Sequence, residues 1–127
     1  MSKYVLDASA VLALLNQERG QEKVEGVLDE SVMSAVNFCE VMGKLIDAGL
    51  PEDEALDSIE LLNIEVIDFN KDMARVAAAL RARTRKLGLS LGDRSCLALG
   101  LARRNTIVTA EKIWAKLKIG VTIEIIR

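Results

Sequence analysis

The chain has 127 residues, half of them apolar, and carries 17 Lys and Arg against 19 Asp and Glu, a formal net charge of -2. That length fits one domain over residues 1–127 with a full core, and the charge gives no overall basic field, so any nucleic-acid contact must come from a local patch. Histidine is absent, which removes His-dependent nucleophilic triads, two-histidine acid–base chemistry and the usual Cys/His zinc sites, and leaves carboxylates, or a metal held by them, as the main catalytic tools.

In chain order, Tyr4-Val5-Leu6 is predicted as a short buried strand ended by Asp7, and Ala8 to Leu15 as an Ala- and Leu-rich helix with Asp7 or Ser9 placed to cap it. Gln21 to Leu28 reads as a short polar helix and Val32-Met33 as a second strand. Ser34 can cap a helix from Ala35 to about Ala48, stopped by Gly49. Pro51 suits the first turn of the next helix, to about Leu62. The alternating, β-branched run Ile64 to Phe69 reads as a strand. Asn70 then caps a long helix to about Leu87, ended by Gly88, and Ser90 caps another from Leu91 to about Arg104. Thr106-Ile107-Val108 is a buried strand, Thr109 caps a short helix holding Trp114 and Leu117, and Val121 to Ile126 follows Gly120 as a last strand.

Strands that alternate with helices imply an α/β domain with a mostly parallel sheet of about five strands, covered on both faces. The core must be aliphatic, because Tyr4, Phe38, Phe69 and Trp114 are the only aromatic residues. Cys39 and Cys96 read as buried, reduced thiols. The start lacks a secretory apolar region, and no apolar run approaches the roughly 20 residues that span a bilayer. The expectation is a soluble cytoplasmic protein.

Ligands of such sheets bind outside the carboxyl ends of the strands. Asp7 directly follows the first strand and Glu111 lies three residues after Val108. Asp93 falls in Ser90-Leu91-Gly92-Asp93, a capping-box pattern with Asp in place of Glu or Gln. Its stripe is shared with Cys96, Leu97 and Gly100, so it faces inward. Glu40 lies on the polar stripe of its helix with Asn37, Lys44 and Asp47. Each acid has an ordinary explanation too: helix caps or dipole partners for Asp7, Asp93 and Glu111, and a surface pair with Lys44 for Glu40. Taken together they form a set of carboxylates that would repel one another unless a cation neutralised them, and all-oxygen ligands favour Mg²⁺ or Mn²⁺.

With these residues in place, the chain resembles a PIN domain, specifically a VapC-type toxin ribonuclease, over nearly its whole length. The segments that carry the likeness are Tyr4-Val5-Leu6-Asp7-Ala8-Ser9-Ala10, Ser34-Ala35-Val36-Asn37-Phe38-Cys39-Glu40-Val41, Leu89-Ser90-Leu91-Gly92-Asp93-Arg94 through Leu99-Gly100, and Thr109-Ala110-Glu111-Lys112-Ile113-Trp114. The resemblance implies a Rossmann-like sheet and a site of Asp7, Glu40, Asp93 and Glu111 binding Mg²⁺ or Mn²⁺, supported by Ser9, Asn37 and Thr109. It implies endonucleolytic cleavage of RNA, often tRNA or ribosomal RNA. It further implies a homodimer neutralised by a VapB-type antitoxin, the complex binding operator DNA through the antitoxin. The family usually has Asp where this chain has Glu111, and the added methylene displaces the carboxylate by about one C–C bond, which a catalytic site can feel strongly.

Arg81, Arg83, Arg85 and Lys86 gather at one predicted helix end, with Arg94, Arg103, Arg104 and Lys112 elsewhere. Arg83, Arg85, Lys86, Arg94 and Lys112 are the candidates for RNA phosphate contact, and the ordinary reading is a solvated helix terminus. The scarcity of aromatic residues argues against base-stacking platforms. The helix from Pro51 to Leu62 is, by analogy of fold, a candidate dimer or antitoxin surface. The alternative to a nuclease is a catalytically weak or inactive binding module of the same fold, acting through its antitoxin, and Glu111 is the residue that favours it. A phospho-accepting signalling domain would need a second acid beside Asp7, where Ala8-Ser9 stand instead.

Overall fold

The inner strand segments, Tyr4-Val5-Leu6 and Thr106 to Thr109, are short and mostly buried, as strands covered on both sides should be, whereas the outer ones at Glu65 and Glu124 expose an acid. In the computed structural model, which describes residues 1–127, they form one five-stranded, all-parallel sheet in the order β3-β2-β1-β4-β5. The strands are β1 (Tyr4–Leu6), β2 (Ser31–Ser34), β3 (Glu65–Ile67), β4 (Thr106–Thr109) and β5 (Ile123–Ile125). Successive side chains alternate between two cores. Leu6, Met33 and Val108 join one with Ala10, Val11, Val41 and Leu45, while Val5, Val32 and Ile107 join the other with Ala77, Leu97 and Trp114. Each fully buried aliphatic side chain contributes about 1.5–3 kcal/mol of transfer free energy.

The first core lies under α1 (Ala8–Leu15), α2 (Gln21–Val27), α3 (Ala35–Asp47) and α4 (Glu52–Glu60). The second lies under α5 (Lys71–Ala79) and α7 (Leu91–Arg103), with the short α6 (Arg81–Thr84) between them in the chain. Helix starts follow the expected chemistry at Ser34, Asn70 and Ser90, whose side chains accept from the backbone N–H of Val36, Met73 and Asp93. Gly49 and Gly88 end helical segments with φ of 107° and 64°, a left-handed backbone that glycine adopts without strain. Pro51 is the N-cap residue of α4, one place before its first turn.

The segment expected as one helix from Asn70 to Leu87 is broken. After α5 the chain bends at buried Leu80, continues as the single turn of α6, and ends in a 3₁₀ turn over Arg85–Leu87. Buried Thr84 donates its hydroxyl to Leu80 O at 2.9 Å, and Arg83 N–H bonds the same carbonyl at 3.1 Å, so Leu80 O is diverted from the regular ladder. The two outer strands are shorter than the alternation suggests, because each ends where its partner ends. Ile67 pairs with Ser34, the cap of α3, and Ile125 pairs with Thr109, the last residue of β4.

The chain runs from β1 outward through β2 to β3, then returns to lay β4 on the other side of β1. The carboxyl ends of β1 and β4 therefore flank the point where the strand order reverses, the place where an open α/β sheet leaves a crevice.

Candidate active site

Parallel pairing sets Leu6 opposite Val108, so Asp7 and Thr109 leave the sheet side by side. Asp7 N–H donates to Val108 O at 3.0 Å. Asp7 is the N-cap residue of α1, yet its side chain caps nothing. Its Oδ2 instead accepts from Ser9 Oγ at 2.7 Å and Thr109 Oγ1 at 2.9 Å. Both hydroxyls are held in turn by the loop after β4: Ala110 N–H donates to Ser9 Oγ at 2.9 Å and Glu111 N–H to Thr109 Oγ1 at 3.0 Å. Both protein hydrogen bonds fall on Oδ2, which leaves Oδ1 for a ligand.

Asp93 stands at the third position of α7, fixed by a full capping box. Ser90 Oγ accepts from Asp93 N–H at 3.1 Å, and Asp93 Oδ2 accepts from Ser90 N–H at 2.9 Å. The ordinary reading of this acid as a helix cap is thus correct, and the cap occupies only one of its oxygens. α7 carries Asp93 into the crevice because the helix is buried from Ser95 to Gly100, with Gly100 seated against Ile107 of β4.

Glu40 is half-buried and makes no ion pair with Lys44. Its Oε1 accepts from Asn37 Nδ2 at 2.8 Å, and the same Nδ2 donates to Gly92 O at 3.0 Å. Asn37, fully buried, therefore ties α3 to the first turn of α7 and brings Glu40 beside Asp93. Its Oδ1 is buried without a protein partner.

Electrostatics show which acids converge. Burial pushes the Asp7 carboxyl up from 3.8 to about 6; the Ser9 and Thr109 hydroxyls oppose this, and the charges of Asp93 and Glu40 add to it. Burial likewise pushes the Cys96 thiol up, with contributions from Asp7, Asp93 and Glu40. Asp93 and Glu40 act on Asp7, and all three act on Cys96, so the three acids lie within charge reach of one another and of Cys96. Glu111 is not among them. It is exposed, with extended backbone (φ -82°, ψ 100°), and the 3₁₀ turn begins only at Lys112, so the helical first turn expected there is absent. Cys96 is buried and free as expected, whereas Cys39 is exposed on α3.

No cation compensates the three carboxylates. The ion pairs of the protein are Lys3–Glu30, Arg75–Asp72 and Arg127–Glu18, and none includes Asp7, Glu40 or Asp93. The donor set, all oxygen and uncompensated, with an unsatisfied Asn37 Oδ1 nearby, fits a hydrated divalent cation. No three acids approach closely enough to bind one ion together, and a Mg²⁺-type ion that keeps its waters and takes one or two carboxylates does not need them to.

Arg81, Arg83, Arg85 and Lys86 are exposed and free of ion pairs. Arg81 and Arg85 line a shallow depression with Thr84, Gly88 and Leu89, next along the chain to the α7 cap. Lys112 is exposed, while Arg94 is half-buried and spends Nη1 on Ala77 O of α5 at 3.0 Å. Sequence patterning did not reveal the contact between Gly92 and Glu40, since it joins two helices through space.

An all-parallel sheet with uncompensated acids at its strand-order reversal places this chain among the open α/β proteins, whose ligands bind at that point. The PIN domain family model matches residues 4–120 of this chain, and the chain belongs to that family. Comparison with curated proteins gives no match. Among solved structures, the chain is similar to VapBC from Salmonella typhimurium bound to DNA, at 19% identity and TM-score 0.75, covering 98% of each chain. It is also similar to VapBC2 from Rickettsia felis bound to a promoter DNA fragment, at 15% identity and TM-score 0.74, covering 95% of this chain and 96% of that one. VapBC-5 from Mycobacterium tuberculosis, of the VapBC family of toxin–antitoxin systems, matches at 24% identity and TM-score 0.68 over 98% of each chain. At these identities the likeness is one of fold. No helix is long and apolar enough to cross a membrane.

Proposed function

We propose that this PIN-domain protein is a VapC-type toxin, a divalent-metal-dependent endoribonuclease that hydrolyses phosphodiester bonds in structured RNA such as tRNA or ribosomal RNA. The observation that carries the reading is the buried Asp7 carboxylate. It is held from one side by two hydroxyls and crowded by Asp93 and Glu40, with no basic side chain to balance them. A protein keeps such an arrangement when a cation completes it.

Asp7 through Oδ1, Asp93 through the oxygen its cap leaves free, and Glu40 are the residues that would hold Mg²⁺ or Mn²⁺, one or two of them directly and the rest through the ion's waters. When bound, that ion supplies a water of lowered pKa and neutralises charge on the phosphate. The chain's own residues orient the carboxylates. Ser9 and Thr109 fix Asp7, the Ser90 cap fixes Asp93, and Asn37 fixes Glu40. Glu111, longer than the usual Asp, is exposed and tied to the site through its N–H on Thr109 Oγ1. Arg83, Arg85, Lys86 and Lys112, with Arg81, are placed to contact RNA phosphates by charge and exposure, and Arg94 braces α5 against α7.

The partner side of the proposal is a VapB-type antitoxin, with the toxin a homodimer and the complex reading operator DNA through the antitoxin. An apolar groove lined by Phe38, Ile59, Ile64 and Val66, with exposed Leu61 beside it, supports a protein partner on the α3–α4 side.

The test is cleavage of total tRNA and ribosomal RNA by the full chain in Mg²⁺ or Mn²⁺, against EDTA, alongside Asp7→Ala and Asp93→Ala. We expect metal-dependent products from the unsubstituted chain and none from either variant. Equal activity in all three, or no activity in any, ends the catalytic assignment. The exposed, displaced Glu111 favours the second reading, an inactive binding module, which predicts no cleavage together with intact antitoxin binding.

A further inference from the structure

α7 holds two glycines whose backbone does not require them: neither Gly92 nor Gly100 has positive φ. Each excludes a methyl group for a different reason. A Cβ on Gly100 would meet Ile107 Cδ1 and Cγ1 at 2.6 and 2.7 Å, inside the second core. The three atoms nearest a Cβ on Gly92 all belong to the Glu40 carboxylate, both its oxygens and Cδ, with Oε1 at 2.5 Å. Gly100 is therefore a packing glycine. The space left by Gly92 is filled by the charged end of one of the three converging acids.

We propose that Gly92 is a positioning residue for Glu40. By leaving out a side chain in the first turn of α7, it makes the recess in which the Glu40 carboxylate rests beside Asp93. The Gly92 carbonyl completes the arrangement, because Asn37 Nδ2 bonds that carbonyl and Glu40 Oε1 at once. Any larger residue drives the carboxylate out, and since Glu40 is the far end of a flexible chain, it can leave without disturbing the backbone. The cost then falls on the site and not on the fold. This goes beyond the metal-nuclease reading in naming a residue with no functional group, and its consequence for metal affinity rests on that reading.

Three substitutions of one kind separate the possibilities. Gly43→Ala, on the exposed face of α3 with nothing near its Cβ, measures the gain in helix propensity alone. Gly100→Ala measures steric damage to the core. Gly92→Ala should resemble Gly43→Ala in thermal melting without metal, with Tm unchanged or raised by up to about 4 °C, while Gly100→Ala melts lower. In the same Gly92→Ala protein, the side-chain NH₂ resonances of Asn37 should shift and Mn²⁺ affinity by calorimetry should fall at least about tenfold. Gly43→Ala and Gly100→Ala should leave both near the unsubstituted values. Unmoved Asn37 resonances, unchanged Mn²⁺ affinity beside a normal unsubstituted chain, or a drop in Tm as large as that of Gly100→Ala each overturn the proposal. If the unsubstituted chain binds no Mn²⁺, the nuclease reading fails by itself, and the Asn37 resonances still decide whether Gly92 places Glu40.

Discussion

Replacing Asp7 by Asn should make the metal-free protein more stable while abolishing cleavage. Asp7 is 3% exposed, and its carboxyl is pushed from 3.8 to about 6, chiefly by burial. A carboxyl whose folded value lies above its unfolded one binds protons more readily when folded. Its contribution is therefore most favourable below 3.8 and is lost as pH rises from 3.8 through about 6. At about 1.36 kcal/mol per pH unit, the difference between 3.8 and about 6 costs the folded state about 3 kcal/mol at pH 7. Asparagine removes the charge and keeps an acceptor oxygen for Ser9 and Thr109. Urea denaturation of both proteins in EDTA should therefore show the Asn variant more stable by an amount on the order of 3 kcal/mol at pH 7, with the gap closing toward pH 3.8. Mn²⁺ at about 1,000 times its Kd should reverse the order, since it adds about 4.1 kcal/mol to the protein that binds it. A gap independent of pH, or an Asn variant less stable at pH 7 without metal, would refute the claim that Asp7 carries an uncompensated buried charge.

The three-acid core and the outlying fourth acid can be separated directly. Glu40→Gln should weaken Mn²⁺ binding at least about tenfold, whereas Glu111→Gln should change it by no more than about twofold, both by calorimetry; equal effects would put Glu111 in the same cluster. The basic turn is tested by salt dependence. Arg81→Ala with Arg85→Ala should weaken binding of single-stranded or structured RNA to the Asp7→Asn protein and lower the slope of log affinity against log salt by about 0.7 for each phosphate that is no longer neutralised. An unchanged slope removes that turn from the RNA surface.

Residue type and local pattern decided much of this protein. The absence of histidine restricted the chemistry to carboxylates, and β-branched runs between capped helices specified a parallel α/β sheet, because hydrophobic period and capping act within a few residues. Asp7 at the end of a strand and Asp93 in its capping box were readable for the same reason. Long-range contact decided the rest. Thr84, buried against Leu80, broke the helix that Asn70 starts, and β3 and β5 stopped where their neighbours stop. Glu40 has the spacing of a surface residue beside Lys44, and only the Asn37 bridge to Gly92, spanning 55 positions, turns it toward Asp93. Of the four carboxylates marked in the sequence, Asp7, Glu40 and Asp93 act on buried Cys96, and Glu111 stands exposed on the extended segment after β4. Sequence determines which groups carry charge and which backbone they favour. Burial, and the charges that share it, are properties of a volume in space, so they exist only once helices from distant parts of the chain have packed together.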